Sequence, residues 1–125
     1  MPTLATATRN AACNAVVDLI DGGSGDAAGD IQFQTSGSSE VATLSFANPA
    51  FGAAATGVAT ANAITSDTDA NGGTTTKAII RDRANATVME CTVGTSGAEI
   101  NLSSVAIGAG DTVSLSALTV TQPAS

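Results

Sequence analysis

The sequence predicts an all-β protein, mainly an antiparallel β-sandwich or jelly-roll-like fold, with one N-terminal α-helix. Near the N-terminus apolar residues recur with the period of a helix, whereas later segments alternate apolar and polar residues with a period of two. Gly-rich turn signals separate those segments. The chain has 125 residues, so we expect a single domain over 1–125, with the helix at about 6–21 and the sandwich at about 30–122.

The predicted helix carries one apolar stripe. Its members follow i, i+3, i+4, i+7 spacing and are Cys13, Val16, Val17 and Ile20. The other side is polar and carries Asn10, Asn14, Asp18 and Asp21. Thr6 or Thr8 is expected to cap the start, and Gly22–Gly23 the end. Because two Asp residues lie at the negative end of the helix dipole, the stripe has to dock, either on its own sheet or on an adjacent subunit.

Seven alternating segments are predicted as strands, namely residues 31–35, 42–46, 57–64, 75–82, 86–93, 98–102 and 111–121. In the last segment the apolar residues before and after Ser116–Ala117 lie in opposite phases. A bulge there is expected to turn both groups toward the core. The side chains expected in the core are Phe33, Leu44, Phe46, Ile80, Leu115 and Leu118.

The apolar content and the strand surfaces both favour association. Much of the apolar content is Ala, which buries little area at roughly 25 cal/mol per Å², so contacts with neighbours would add stability. Thr and Ser fill most outward strand positions, with no Lys or Pro to guard exposed edges. We therefore predict a homo-oligomer or a larger assembly.

The composition disfavours catalysis, nucleic-acid binding and a membrane span. The chain has no His, Trp or Tyr, and its four Lys and Arg stand against eleven Asp and Glu, for a net charge of −7. Neutral-pH catalysis commonly uses His, and nucleic acids are held by cations and aromatic stacking, so we predict neither an enzyme nor direct DNA or RNA binding. Arg9, Asn10 and Asn14 interrupt the N-terminal apolar stretch, so we expect no signal peptide, no membrane segment and synthesis in the cytoplasm.

The two cysteines, Cys13 and Cys91, lie 78 positions apart, without a CxxC spacing or any His. Two thiols alone do not make a metal site. In a reducing cytoplasm they are interpreted as small buried apolar residues, and a disulfide that joins the helix to the sheet is the alternative.

The best candidate for a ligand site is the loop that begins at Asp67. Asp67, Asp69 and Asn71 place oxygen atoms at alternate positions before Gly72, as in a calcium loop. The acid expected eleven residues after Asp67 is missing, because that position is Ala78. We therefore interpret the segment as a solvated hairpin loop whose side chains make local turns with the backbone, and we predict no metal and no cofactor.

A carboxylate pair, Asp82 and Glu90, is expected to face across the hairpin formed by residues 75–82 and 86–93. Such a pair can act as acid and base on a sugar. Because Arg81 and Arg83 lie beside it and the chain has no Trp or Tyr platform, surface ion pairing is the better interpretation.

Three segments, residues 7–21, 48–67 and 93–123, resemble a group of small proteins encoded among the virion structural genes of tailed bacteriophages and prophages. The resemblance implies a place in the virion, after synthesis in the bacterial cytoplasm, and no functional residue is carried over from it. The role that best suits the residues is a capsid decoration or cement protein that stabilises the head through contacts with the major capsid protein or other virion proteins.

Two other roles remain open at this point. The first is a neck or tail component of the particle, and the second is a carbohydrate- or receptor-binding module, which usually needs aromatic stacking residues. For any assembly role, we expect the interface to include the helix stripe of Cys13, Val16, Val17 and Ile20.

Overall fold

The computed structural model describes residues 2–123, and in these residues it confirms the predicted class, all-β with one N-terminal helix. The helix α1 spans Thr6–Asp18 and continues as a short 3-10 turn, Leu19–Asp21. The strands in these residues are β1 (Asp30–Gln34), β2 (Glu40–Ser45), β3 (Val58–Thr60), β4 (Gly73–Thr74), β5 (Lys77–Arg81), β6 (Thr87–Gly94), β7 (Ile100–Asn101), β8 (Ala106–Ile107) and β9 (Thr119–Thr121).

The strands form one curled five-stranded sheet and two small ribbons. The large sheet has the order β2-β1-β5-β6-β7, and the ribbons are β3-β9 and β4-β8. The pairs are antiparallel except for β6 and β7, which run parallel, so the large sheet is mixed. Five of the six pairs are antiparallel, as expected, but short ribbons and loops stand in place of a second full sheet.

The predicted strand at 111–121 accounts for most of that difference. Only Thr119–Thr121 is a strand, and Val113 makes an isolated bridge with Asp67. The expected bulge at Ser116–Ala117 is therefore wrong; the register shifts lie at Phe33/Gln34 and Ile80/Arg81. Since the two apolar phases of the segment oppose each other, a continuous strand would expose one of them, and the chain instead leaves strand geometry between them.

The core lies on one face of the large sheet. Ile31 stands opposite Leu44 on β2 and Ile80 on β5, whereas Phe33 stands opposite Ala42 and Ala78. Across the three strands, a row of three large side chains, Leu44, Ile31 and Ile80, thus lies next to a row in which Ala42 and Ala78 leave room for the Phe33 ring. Of the predicted core residues, four are buried as expected, namely Phe33, Leu44, Phe46 and Ile80. The other two, Leu115 and Leu118, are only partly buried against the core.

The helix docks on its own sheet, which is one of the two alternatives that the sequence left open. Cys13, Val17 and Ile20 are at most 2% exposed and belong to the same core. The residue before the helix is Ala5, which makes no side-chain cap, so the predicted Thr6 or Thr8 cap is wrong. Both threonines lie inside the first turn and cannot reach back to cap it.

Gly29 allows the end of the helix to approach the large sheet. A Cβ atom at this position would lie 2.5 Å from the Arg81 carbonyl oxygen and 2.6 Å from Cγ2 of Ile20. No side chain fits between these atoms, so Gly29 is what lets Ile20 pack beside β5. In residues 2–123 there is no helix with the length and apolar character needed to cross a bilayer.

Candidate functional site

The loop predicted as a weak metal site is folded along the edge of β2. One carboxylate oxygen of Asp67 accepts the Thr43 N–H at 2.9 Å, and the other accepts the Asp69 N–H at 2.9 Å. The side chain of Asn71 donates to Glu40 at 3.0 Å. The predicted local turn therefore forms between Asp67 and Asp69, but the contacts with β2 were not expected from the sequence.

The same loop satisfies the backbone of an exposed strand. Ser45 and Thr65 exchange backbone hydrogen bonds, and the Asn71 N–H donates to the Val41 carbonyl at 2.9 Å. Unpaired strand edges are templates for unwanted association, and covering them with a loop removes that hazard. Among residues 2–123 no group of three or more His, Cys, Asp or Glu is placed to hold a metal ion. The role of Asp67 in this fold is to hold the loop against the exposed edge of β2.

The structure does not bring Asp82 and Glu90 together. Glu90 stands opposite Ile79 on β5. Asp82 lies in the turn after β5, where one carboxylate oxygen accepts the N–H groups of Ala84 at 2.8 Å and Ala86 at 2.9 Å. The pair expected across the hairpin is therefore wrong, because the turn captures the Asp82 carboxylate.

Arg81 has a different partner from the one expected. Its guanidinium donates two hydrogen bonds to the Asp30 carboxylate on β1, at 2.7 and 2.8 Å. The hydrogen bond with Asp30 raises the pKa of Arg81 above its ordinary value, although burial acts against it. Asp30 is 8% exposed, so this ion pair is a partly buried structural contact.

All four cations of the chain are engaged by the chain itself. Besides Arg81, Arg9 donates to the carbonyls of Gln122 at 3.1 Å and Thr56 at 3.0 Å. Lys77 donates to Ser38 at 2.7 Å, and Arg83 donates to the Asp26 carbonyl at 2.9 Å. These contacts join segments that are distant in sequence, so the cations stabilise the packing of loops against the helix and the strands.

The polar side of the helix also holds a loop. Asn10 accepts the N–H of Gly57 at 2.8 Å, Asn14 that of Ala54 at 2.8 Å, and Asp21 that of Ala50 at 2.9 Å. These residues were predicted on the side opposite the apolar stripe, but at 3.6 residues per turn positions 10, 14 and 21 form a row directly beside it. Because they satisfy backbone donors in the 50–57 loop, the docked helix holds this loop along its flank.

The predicted helix interface is reduced by this docking. Three of its four residues, Cys13, Val17 and Ile20, are covered by the chain, so they are not available to a partner in this fold. Val16 is 36% exposed, and Leu19, one turn further along, is 60% exposed. Among residues 2–123 these two are the large exposed apolar side chains, and we call them the Val16–Leu19 patch.

Both cysteines are free and buried, as the sequence predicts. The Cys13 thiol donates to the Val120 carbonyl at 3.2 Å, which ties the helix to β9. Cys91 lies on the core face of β6. Burial first, and then the Glu99 and Glu90 carboxylates, raise the pKa of the Cys91 thiol.

Comparisons of the chain with protein-family models, with curated proteins and with solved structures found no match.

Proposed function

We propose that this protein is a structural component of a tailed-phage particle, and that it decorates the capsid as a cement protein. Its partners would be the major capsid protein or other virion proteins, together with further copies of itself. The resemblance of residues 7–21, 48–67 and 93–123 to small virion proteins supports this role. The structural observation that carries the proposal is that all four cations are engaged within the chain.

Each cation already uses at least one donor within the chain, and Arg9 and Arg81 use two each, so fewer donors remain for a phosphate or a partner. The groups that remain free to contact other molecules are carboxylates, small polar side chains, exposed strand edges and the Val16–Leu19 patch. Each such contact is weak, but a shell repeats it by symmetry, and many weak contacts sum to stable attachment. This pattern suits a cement protein better than a nucleic-acid-binding protein.

The direct test is to measure the copy number in purified particles. Particles of the phage or prophage that carries the gene would be purified, and the ratio of this protein to the major capsid protein would be measured by quantitative mass spectrometry. A decoration role predicts on the order of hundreds of copies, as symmetric repetition over a shell requires. A few to tens of copies would indicate a neck or tail component, and absence from the particle would refute both roles.

A second test asks whether the protein stabilises the head. Particles that lack it should release their DNA at a lower temperature than complete particles, and adding the purified protein back should restore the release temperature. The matched control is the protein with Ser96→Ala, an exposed loop position far along the chain from the Val16–Leu19 patch. Equal release temperatures with and without the protein would contradict a cement function.

A further inference from the structure

The outer edge of β6 extends beyond the strand that covers it. The Val93 N–H donates to the Thr76 carbonyl at 3.1 Å, and backbone groups alternate in direction along an antiparallel strand. Glu90 therefore turns its N–H and C=O away from β5. On that side β7 pairs only with Val93 and Gly94, and the Glu99 carboxylate accepts the Thr92 N–H at 2.9 Å. Within residues 2–123, β7 does not reach the outward backbone groups of Glu90, and no loop hydrogen bond satisfies them.

A groove lies beside this edge, on the core side of the sheet. It has a volume of about 200 Å³, and its lining is mixed: the apolar members are Ile80, Met89, Cys91, Ile100, Leu118 and Val120, and the polar members are Glu99, Thr119 and Thr121. A second hollow of about 270 Å³ continues it and shares Glu99, Ile100, Leu118 and Thr119. For scale, an apolar cavity of about 150 Å³ accepts a benzene molecule. A strand added at the β6 edge would point every second side chain toward this groove.

The charge around the edge is negative. Glu90 projects from the outer face of β6, and Glu99 lies at the sheet edge beside Thr92. Neither carboxylate forms a salt bridge within residues 2–123. Both contribute to the raised pKa of Cys91 in the groove, so their potential reaches the groove floor.

This charge selects among possible occupants. A second copy of the chain would bring its own Glu90 to the edge and a net charge of −7 to the contact, and like charges across paired strands are destabilising. A strand with basic side chains would instead place them beside Glu90 and Glu99. Because side chains alternate along a strand, those on one side would face the groove and its apolar residues, and those on the other side would face Glu90 on the outer face.

We propose that the β6 edge and its groove bind an extended segment of another protein, with alternating aliphatic and basic residues, as an added strand in line with β7. Backbone hydrogen bonds to Glu90 would give affinity, and the groove and the two carboxylates would give specificity. The inference concerns a binding site of the isolated domain. It stands whether or not the protein decorates a capsid.

The probe is an eight-residue peptide of alternating valine and lysine, blocked at both ends, titrated into ¹⁵N-labelled protein. We expect the amide signal of Glu90 to shift and its hydrogen exchange to slow. A peptide with glutamate in place of lysine should bind at least about tenfold more weakly, because it repels both carboxylates. Equal binding of the two peptides, or signals that shift only at other residues, would overturn the proposal.

Two sets of variants separate edge pairing from general attraction to an acidic protein. The Glu90 N–H points away from β5, so Glu90→Pro removes a donor at the edge while the β5–β6 hydrogen bonds remain, and it should abolish binding. Glu90→Gln makes the same change of charge but keeps the N–H, so it should weaken binding much less. Glu90→Gln combined with Glu99→Gln should weaken lysine-peptide binding about tenfold and flatten its salt dependence.

Sedimentation velocity completes the test. If the protein alone self-associates, and Glu90→Pro abolishes that association, the occupant of the edge is a second copy and the proposal is wrong. A folded Glu90→Pro protein that still binds the lysine peptide would also refute it. If Glu90→Pro fails to fold, the double glutamine variant decides the question through its loss of affinity and of salt dependence.

Discussion

Arg81 and Asp30 lie directly opposite each other on β5 and β1, and two parallel hydrogen bonds of 2.7 and 2.8 Å join the guanidinium to the carboxylate. The pair sits where Gly29 brings the helix end against the Arg81 backbone. Ion pairs with this forked geometry are more directional than a lysine contact. This contact therefore ties β1 to β5 close to the docked helix.

We expect Asp30→Ala to lower the free energy of unfolding by about 2 kcal/mol, because it removes two charge-assisted hydrogen bonds and leaves Arg81 without its partner. Arg81→Lys should cost less, since it keeps the charge but loses the fork. Urea unfolding followed by circular dichroism measures both. Ser96→Ala, at an exposed loop position, is the control and should change stability by less than about 0.5 kcal/mol. An Asp30→Ala protein as stable as this control would contradict the structural role of the pair.

The loop at Asp67 should act without metal. Asp67→Ala removes the acceptor of the Thr43 and Asp69 N–H groups and should cost about 1–2 kcal/mol in thermal or urea unfolding. A chelator should leave the melting temperature of the parent protein unchanged. If chelator lowers that temperature and Asp67→Ala abolishes the effect, the loop is a metal site after all.

Two leucines that the sequence treats alike should differ in the folded protein. Leu44 is fully buried between β1 and the core, whereas Leu115 is only partly buried. Leu44→Ala should therefore cost about 2–5 kcal/mol, and Leu115→Ala clearly less. Melting temperatures of the two variants, measured side by side, test the assignment of the core face. Equal losses would show that the segment around Leu115 is packed as tightly as the sheet.

Cys91 should make the protein less stable at alkaline pH. Its raised pKa means that the folded state holds the thiol proton more tightly than the unfolded chain, where a thiol titrates at about 8.5. The associated stabilisation is complete below the unfolded pKa and is lost as the pH rises through the higher folded pKa. We expect the free energy of unfolding to fall above about pH 8.5, and Cys91→Ala to reduce that fall.

The reactivity of the Cys91 thiol gives a second measurement of its raised pKa. In a Cys13→Ala background, the alkylation rate of Cys91 should rise at a higher pH in the folded protein than in urea, because the thiolate is the reactive form. Glu99→Gln should shift that rise to lower pH by removing a nearby negative charge. Identical pH profiles for folded and unfolded protein would refute the assignment.

The two sides of the helix should have separable effects. Because Val17 and Ile20 fill the core, deleting residues 1–21 would disrupt the domain and could not report on assembly alone. Ile20→Ala should cost about 2–5 kcal/mol. Val16→Ser with Leu19→Ser should leave the melting temperature nearly unchanged but weaken binding to capsids.

Capsid binding through such an apolar patch should vary little when salt is raised from about 0.1 to 1 M, where the screening length falls from roughly 10 to 3 Å. Binding is measured by co-sedimentation with particles that lack the protein. Release of the parent protein by high salt, or full retention of the Val16→Ser and Leu19→Ser protein, would contradict an apolar contact at the helix.

The sequence by itself determined the class of fold, the helix near its N-terminus and which side chains of the central strands face the core. These follow from local side-chain periods, since the stripe through Cys13 and Ile20 and the alternation around Phe33 and Leu44 are visible within a few residues. The same local logic predicted too long a strand at 111–121, because periodicity alone does not show whether a pairing partner is present.

Only the tertiary structure decided which polar groups meet. Arg81 pairs with Asp30, 51 residues away, although Asp82 is its neighbour in the chain. Asp67 reaches Thr43 across 24 residues, and Asn14 reaches Ala54 across 40. A hydrogen-bonding side chain binds whichever complementary group the folded backbone brings within about 3 Å, and that proximity depends on strand order and register. The open edge of β6 has the same origin, because it exists only where the short β7 fails to cover its neighbour.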